Sequence, residues 1–315
     1  MSWPVKRAAA AILLLAAAAA AIIAAWEPLG KIWREAMRLP DENGIYRVGE
    51  QWFEELPELN EKSAAAFADK LDTLQSDLLT AENRCFYAVI PDKSWYVREE
   101  GYQTLDQERL LALLREELTG NFTEIDLSSA LDVDSYYASD LHWRQEKLQP
   151  VLDKLGEAMD FSVKLDDFTE VQHTPFLGSM QQYLAESGGE EALVYLTSAD
   201  TEAAVSDNYQ HPDIAAVYDL AKLETDNSYD LFLSGVSPLI TVENPLSDSG
   251  RELVIFRDSF GSSLAPLLLG EYDKITLIDL RFIFSTLLPD YVTFDDQDVL
   301  FLYSSRIVNN SGMLR

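Results

Sequence analysis

Five short runs are apolar at nearly every position: CFYAVI at 85–90, ALVYL at 192–196, LVIF at 253–256, ITLI at 275–278 and VLFLY at 299–303. A strand with one wet face alternates apolar and polar residues, so continuous runs of this length belong to strands covered on both faces. FTEIDL at 122–127 and DLFL at 230–233 are weaker candidates of the same kind. Helical spacing falls between the runs. From residue 60 to 79 the apolar positions Ala64, Phe67, Leu71, Leu74 and Leu78 recur every three or four residues, and residues 107–118, 144–159 and 262–269 read as further helices. Pro150 interrupts the third, which predicts a kink or a late start. Strands alternating with helices predict an α/β fold: a mainly parallel sheet flanked by helices, in three layers. Ligands of such sheets bind outside the carboxyl ends of the strands.

The chain has 315 residues, enough for one α/β domain of ordinary size and an appendage. The appendage is N-terminal. Residues 8–26 are Ala, Ile, Leu and one Trp without a charge, and at about 1.5 Å per residue they nearly cross a hydrocarbon core of about 30 Å. Residues 1–26 are therefore expected to be a cytoplasmic tip and a transmembrane anchor. Residues 27–50, with Pro28, Pro40, Gly44 and Gly49, form a stalk, and residues 51–315 the domain. Lys6 and Arg7 on the leading side favour an N-terminus in the cytoplasm, although Lys31, Arg34 and Arg38 weaken the bias. The domain is expected outside the cytoplasmic membrane. A cleaved signal peptide competes with this reading, because the segment is rich in alanine; the length of the apolar run favours an anchor.

The net charge is −30, and it belongs to the domain. Residues 1–38 hold five basic residues against Glu27 and Glu35, so residues 39–315 carry −33. Such a surface repels nucleic acid backbones and anionic lipid, and its simplest role is solubility. No nucleic-acid partner is expected. Cys85 is the only cysteine and sits in an apolar run, which excludes an internal disulfide and predicts a buried, inert thiol.

The chain has three histidines, His142, His173 and His211. Only His142 has a carboxylate close by in a chemically useful pattern: Asp140 precedes it by two residues and Trp143 follows. Asp258-Ser259-Phe260-Gly261 follows the LVIF run and opens a helix-like segment. Asp and Ser are ordinary loop and capping residues, so the pair alone is a weak signal. Gly261, however, permits close approach, and a helix start offers N–H groups to a developing oxyanion. Ser259 as nucleophile, His142 as base and Asp140 as the group that fixes the tautomer would make a complete acyl-transfer set, with no metal or cofactor needed. Tyr136, Tyr137 and Trp143 are expected to supply a semi-apolar wall to the site. His173 and His211 read as surface or structural residues.

YYASDLHW at 136–143, RDSFGSSLAPLL at 257–268 and DKITLIDLRF at 273–282 together resemble the DHHW family and the related alginate O-acetylation proteins, which have an SGNH-hydrolase-like domain. VIPDKSWY at 89–96 and TPFLGS at 174–179 are weaker supporting blocks. The resemblance covers roughly residues 40–310. It implies the roles of nucleophile for Ser259 and of triad partners for Asp140 and His142, in the chain order Asp, His, Ser that the alginate-type relatives use. The backbone N–H of Ser259 or Phe260 is the natural first oxyanion donor, with Gly178 a second; Asn309 or Asn310 would donate only if the tail folds back, and both read more simply as an exposed C-terminal turn. Tyr137, Trp143 and Arg281 are candidate substrate contacts, Arg281 being otherwise a structural ion pair. Two departures stand out. Leu141 replaces the first histidine of the family name, and Arg144-Gln145-Glu146-Lys147 replaces the Thr and Gly-Ala that usually follow the tryptophan, which alters the expected substrate rim.

Two functional classes follow. One is a membrane-anchored extracytoplasmic serine acyltransferase or esterase acting on acetyl groups of a cell-surface polysaccharide, for which the resemblance implies a membrane-bound O-acyltransferase as partner. The other is a non-catalytic factor that keeps the fold and binds a glycan or protein. An enzyme requires Ser259 and His142 within hydrogen-bond reach, about 2.6–3.2 Å; a binding module does not.

Overall fold

The computed structural model describes residues 36–176, 178–183 and 191–315, together with residues 30, 33 and 34. The expected anchor at 8–26 lies outside them. Among the described residues no helix is long and apolar enough to cross a membrane. Strands β1 (Ile45–Val48) and β2 (Gln51–Glu54) pair as an antiparallel hairpin across the expected boundary at residue 50. Helix α1 (Glu61–Leu78) follows, its first turn capped by the Asn60 side chain, which accepts from the Ser63 N–H. Its stripe of Ala64, Phe67, Ala68, Leu71 and Leu74 is buried.

The chain continues through β3 (Arg84–Ile90), α2 (Gln107–Glu117), β4 (Thr123–Glu124), α3 (Gln149–Met159), β5 (Thr169–His173), β6 (Leu193–Thr197), α4 (Ala199–Ala203) and β7 (Val205–Asn208). It ends with β8 (Leu239–Glu243), β9 (Glu252–Arg257), α5 (Phe260–Leu264), β10 (Lys274–Ile278), β11 (Asp298–Ser304) and α6 (Ser305–Val308). Seven strands form one sheet in the order β4-β3-β11-β9-β10-β8-β7. The pairs from β4 to β10 are parallel, while β8 joins β10 and β7 joins β8 antiparallel. The fold is thus α/β on a mixed, mainly parallel sheet.

Because side chains alternate across a strand, each central strand feeds two cores. Phe86, Ala88, Ile90, Leu253, Ile255, Leu300 and Leu302 face one core with Val151, Leu152, Leu155 and Met159 of α3. Cys85, Tyr87, Val89, Val254, Phe256, Val299 and Phe301 face the other with the apolar stripes of α1 and α2. Burial pushes the Cys85 thiol up, consistent with an inert structural residue.

Several expected elements differ. The 192–196 run is a strand, but it pairs antiparallel with β5 in a separate two-stranded sheet. The strand expected over 122–127 shrinks to the two residues of β4. Residues 230–233 are not a strand: Ser228–Leu231 is a 3₁₀ turn, and Leu233 has a φ of 55°. Its apolar side chains are buried as anchors of a loop. The third helix starts late, after a 3₁₀ turn at Gln145–Lys147, with Pro150 in the first turn of α3, where its missing N–H costs nothing. The helix after Ser259 begins earlier than expected, at Phe260, and passes into a 3₁₀ turn at Ala265–Leu268.

Candidate active site

The carboxyl ends of the parallel strands β3, β9, β10 and β11 deliver Lys93, Ser259, Asp279 and Ser304 to one edge of the sheet. Asp258 sets the turn that carries Ser259. Its Oδ2 accepts the N–H of Ser304 at the end of β11 at 2.8 Å, and its Oδ1 accepts the N–H of Phe260 at 3.1 Å. Gly261 lets this turn close onto the sheet, since a Cβ there would stand 2.7 Å from Cβ of Arg257.

The Asp-x-His-Trp segment arrives on a tight loop. Tyr136 and Trp143 form an isolated antiparallel bridge, and the Tyr137 N–H donates to the His142 carbonyl at 3.1 Å. Glu191 secures the tip by accepting the N–H groups of Ala138 and Ser139. Within the loop Asp140 Oδ1 accepts the His142 backbone N–H at 2.8 Å and lies 2.6 Å from Nδ1, while Oδ2 accepts the Ser179 N–H at 2.7 Å. His142 Nε2 stands 2.7 Å from Ser259 Oγ. With Nδ1 donating to the carboxylate, Nε2 is left as the acceptor for the Ser259 hydroxyl proton. Asp140 is only 3% exposed. Burial works to raise its carboxyl, but the charge of His142 and the N–H donors outweigh burial and hold it well below the usual carboxylate range.

The imidazole is packed as well as bonded. Tyr229 stacks on it at 3.9 Å between centroids with 14° between planes, and Phe260 leans against it at 5.0 Å. Behind the imidazole, Trp143 Nε1 donates to Ser263 Oγ at 2.8 Å, and the Tyr229 hydroxyl lies 2.8 Å from the same oxygen. Lys93 is buried beneath the loop, donating to the carbonyls of Tyr137 at 2.9 Å and Ala138 at 3.2 Å, with its ammonium 5.1 Å from the centre of the Phe53 ring. Burial lowers its pKa to about 8 against the raising pull of Asp140, Asp92 and Glu191.

Asp140, His142 and Ser259 thus come together as expected from their residue types. The other expectations fare differently. Tyr137 and Trp143 are 0% exposed, so they form the wall behind His142 and offer no surface to a ligand. Arg281 makes a bidentate pair with the wholly buried Asp279, at 2.8 and 2.6 Å, so the ion-pair alternative is the one observed. The Phe260 N–H is engaged by Asp258. Gly178 lies against the backbone of Ser139, where a Cβ would come within 2.2 Å of the carbonyl oxygen, and so serves the Asp140 side of the loop. Asn309 is buried rather than in an exposed turn; it accepts the Asn60 N–H at 2.6 Å and donates to the Glu58 carbonyl at 3.1 Å, which commits it to the start of α1. Asn310 is exposed. The departing residue Gln145 is no rim residue either: buried, it donates to the Ser263 carbonyl and accepts the Leu196 N–H, both at 2.7 Å.

Sequence reasoning passed over Tyr229, Lys93, Ser179 and Ser263. Lys93, Ser179 and Ser263 fall in the blocks that carry the resemblance, and Ser263 also lies one helical turn after Ser259 on the same face. Among the described residues no group of three His, Cys, Asp or Glu is placed to hold a metal ion.

Fold and site define an α/β protein with an Asp–His–Ser constellation at the carboxyl edge of its sheet. No family model matches the chain, and no curated protein matches it in sequence. Solved structures do share its fold. A DHHW family protein from Eubacterium siraeum superposes with a TM-score of 0.71 at 18% identity, over 87% of this chain and 95% of that one. Bacillus cereus PatB1 gives 0.63 at 17% identity, over 84% and 96%, and PatB1 with a sulfonyl adduct gives 0.61 at 15% identity, over 84% and 97%. The likeness to the DHHW family read from the sequence thus holds at the level of the fold.

Proposed function

We propose that the protein is a serine-type acyltransferase or esterase acting on acetyl groups of a cell-surface polysaccharide, anchored to the membrane through residues 8–26 with its domain outside. The observation that carries this is the hydrogen-bonded chain from Asp140 through His142 to Ser259, at 2.6 and 2.7 Å. Such a chain lets Nε2 take the Ser259 proton as Oγ attacks an acetyl ester and hand it to the alcohol oxygen that leaves as the donor ester bond breaks, while Asp140 balances the transient imidazolium. The acyl-enzyme then passes its acetyl group to a sugar hydroxyl deprotonated by the same nitrogen. A membrane-bound O-acyltransferase would bring the acetyl group across the membrane. The fold shared with a DHHW family protein supports the reading, as does a sulfonyl adduct in a protein of the same fold. A binding module has no need of a base 2.7 Å from a serine hydroxyl.

The test is hydrolysis of p-nitrophenyl acetate by the full chain, beside Ser259→Ala and His142→Ala, with intact mass recorded before and after phenylmethanesulfonyl fluoride. Turnover with an acetyl or sulfonyl adduct that Ser259→Ala abolishes supports the proposal. Rates equal to the blank and no adduct in the wild type would overturn it.

A further inference from the structure

The last residue of β9 is a buried cation with no carboxylate bonded to it. Arg257 is 1% exposed, yet its Nε and Nη2 make no hydrogen bond among the described residues, and Nη1 makes only a long one, to the Asp258 carbonyl at 3.3 Å. The carboxylates around it are committed elsewhere. Ile278 pairs with Phe256 across β10 and β9, which sets Asp279 beside Arg257, but both Asp279 oxygens accept from Arg281. Asp258 gives Oδ1 to the Phe260 N–H and Oδ2 to the Ser304 N–H. A guanidinium taken out of water without a hydrogen-bonded counter-ion destabilises a fold, so packing alone does not account for this one. Burial pushes its pKa down against the pull of Asp279 and Asp258, but an arginine in a protein keeps its proton at neutral pH, and the charge stands.

The charge lies under the turn that carries Ser259. A Cβ on Gly261 would stand 2.7, 3.1 and 3.4 Å from Cβ, Cγ and Cδ of Arg257, so the arginine side chain runs directly beneath the first turn of α5. It ends at the Asp258 carbonyl, whose carbon is bonded to the nitrogen of Ser259, and the same carbonyl accepts the Gly261 N–H at 3.2 Å. One peptide unit therefore separates the guanidinium from the serine. The Asp258 carboxylate that shapes this turn also sets a negative charge next to Ser259, where acyl transfer has to place another.

We propose that Arg257 is the buried positive charge that offsets Asp258 and stabilises the oxyanion formed at Ser259. The proposal rests on the acyl-enzyme reading above. As Oγ bonds to the ester carbonyl carbon, its proton passes to His142 Nε2 and the π pair of the carbonyl moves onto the carbonyl oxygen as a negative charge. When the carbonyl re-forms, the bond to the alcohol oxygen breaks and that oxygen takes the proton from Nε2. Deacylation passes through a second oxyanion at the same place, with Oγ as the group that leaves. Arg257 touches none of the reacting atoms. It acts through its field, fixed in place before the reaction and away from water, where charge interactions are strong.

The experiment compares the full-length wild type with Arg257→Lys, which keeps the charge, and with Arg257→Met and Arg257→Gln, which remove it. p-Nitrophenyl acetate gives kcat and KM. Phenylboronic acid gives an inhibition constant for a mimic of the intermediate, since its boron takes Oγ as a fourth bond and becomes a tetrahedral anion. A unit charge about 6–8 Å from an oxyanion, at an effective dielectric constant of about 20, changes a rate by about 30- to 100-fold. In both neutral variants kcat and boronate affinity should fall by that factor, with KM within about twofold, while Arg257→Lys stays within about fivefold of wild type. Neutral variants within about threefold of wild type would overturn the proposal. So would a lysine variant as slow as the neutral ones, or a loss of kcat with boronate affinity unchanged. Neutral variants that fail to fold by circular dichroism make Arg257 a structural residue and overturn it too. A wild type that neither turns over nor binds the boronate overturns the acyl-enzyme reading, and this proposal with it.

Discussion

Trp143 and Ser263 are joined by a 2.8 Å hydrogen bond from the indole Nε1 to the serine Oγ, and that same hydroxyl lies 2.8 Å from the phenol of Tyr229. One wholly buried oxygen therefore ties together the loop that carries His142, the loop that stacks on it and the helix that follows Ser259. Ser263→Ala would strand an indole N–H and a phenol hydroxyl away from water, at about 1–3 kcal/mol each. Urea unfolding should show the lower stability, and p-nitrophenyl acetate hydrolysis should fall with it, because the brace behind His142 is gone. An unchanged midpoint and rate would mean that the three segments hold their places without this hydroxyl.

Asp140 spends both carboxylate oxygens on N–H donors: Oδ1 on His142 and Oδ2 on Ser179. An asparagine must turn its amide N–H₂ toward one of those donors. If it meets Nδ1, the imidazole loses its proton there and shifts to the tautomer whose Nε2–H cannot accept from Ser259. Asp140→Asn should therefore lower kcat for p-nitrophenyl acetate by about 10³- to 10⁴-fold with little change in KM. A loss below about tenfold would show that the tautomer is fixed elsewhere.

The central sheet and the three site residues were legible for the same reason: each rests on a local pattern. Strands β3, β9, β10 and β11 are apolar on both faces because both faces are covered, and Asp140 lies two residues from His142 in one loop. What escaped depends on contacts across the chain. Strands β7 and β8 alternate and carry Ser206, Asn208 and Thr241, so nothing in their composition separates an edge strand from a loop. Leu231, Phe232 and Leu233 are as buried as any strand residue but fasten a left-handed turn. Burial without periodicity does not distinguish the two. Tyr137 and Trp143 read from sequence as a wall and as candidate substrate contacts, because aromatics beside a histidine suit either role; only the packing against Phe176, Tyr229 and Phe260 shows which.

Lys93 makes a prediction about pH. Its ammonium is 1% exposed and faces Asp140, Asp92 and Glu191, with Arg306 opposing, and burial brings its pKa from 10.5 to about 8. Between those values the unfolded chain binds a proton that the folded chain has released, so this residue makes stability rise with pH from about 8 to about 10. Below pH 8 it is charged in both states and contributes no slope. Lys93→Met removes the term, so wild type should gain about 2 kcal/mol on the variant across those two pH units in paired urea titrations. A constant difference across the range would mean that Lys93 titrates as an ordinary lysine.

Gly178 gives a steric prediction. A Cβ there would lie 2.2 Å from the carbonyl oxygen and 2.4 Å from the carbonyl carbon of Ser139, both backbone atoms that cannot swing aside. The adjoining Ser179 N–H reaches Asp140 Oδ2 at 2.7 Å, and the Met180 N–H donates to the Ser139 carbonyl at 3.1 Å. Gly178→Ala must push these two backbone segments apart, at about 1–3 kcal/mol of stability. It also withdraws one donor from Asp140, so the alanine variant should hydrolyse p-nitrophenyl acetate about tenfold more slowly, chiefly through kcat. Gly312 is the matched control: a Cβ there meets nothing within 4 Å, and Gly312→Ala should shift stability by no more than about 0.5 kcal/mol. If the two variants behave alike, the close approach of Gly178 to Ser139 is not what seats the carboxylate. If only Gly178→Ala loses activity, the segment around Ser179 is a working support of the Asp140–His142 pair.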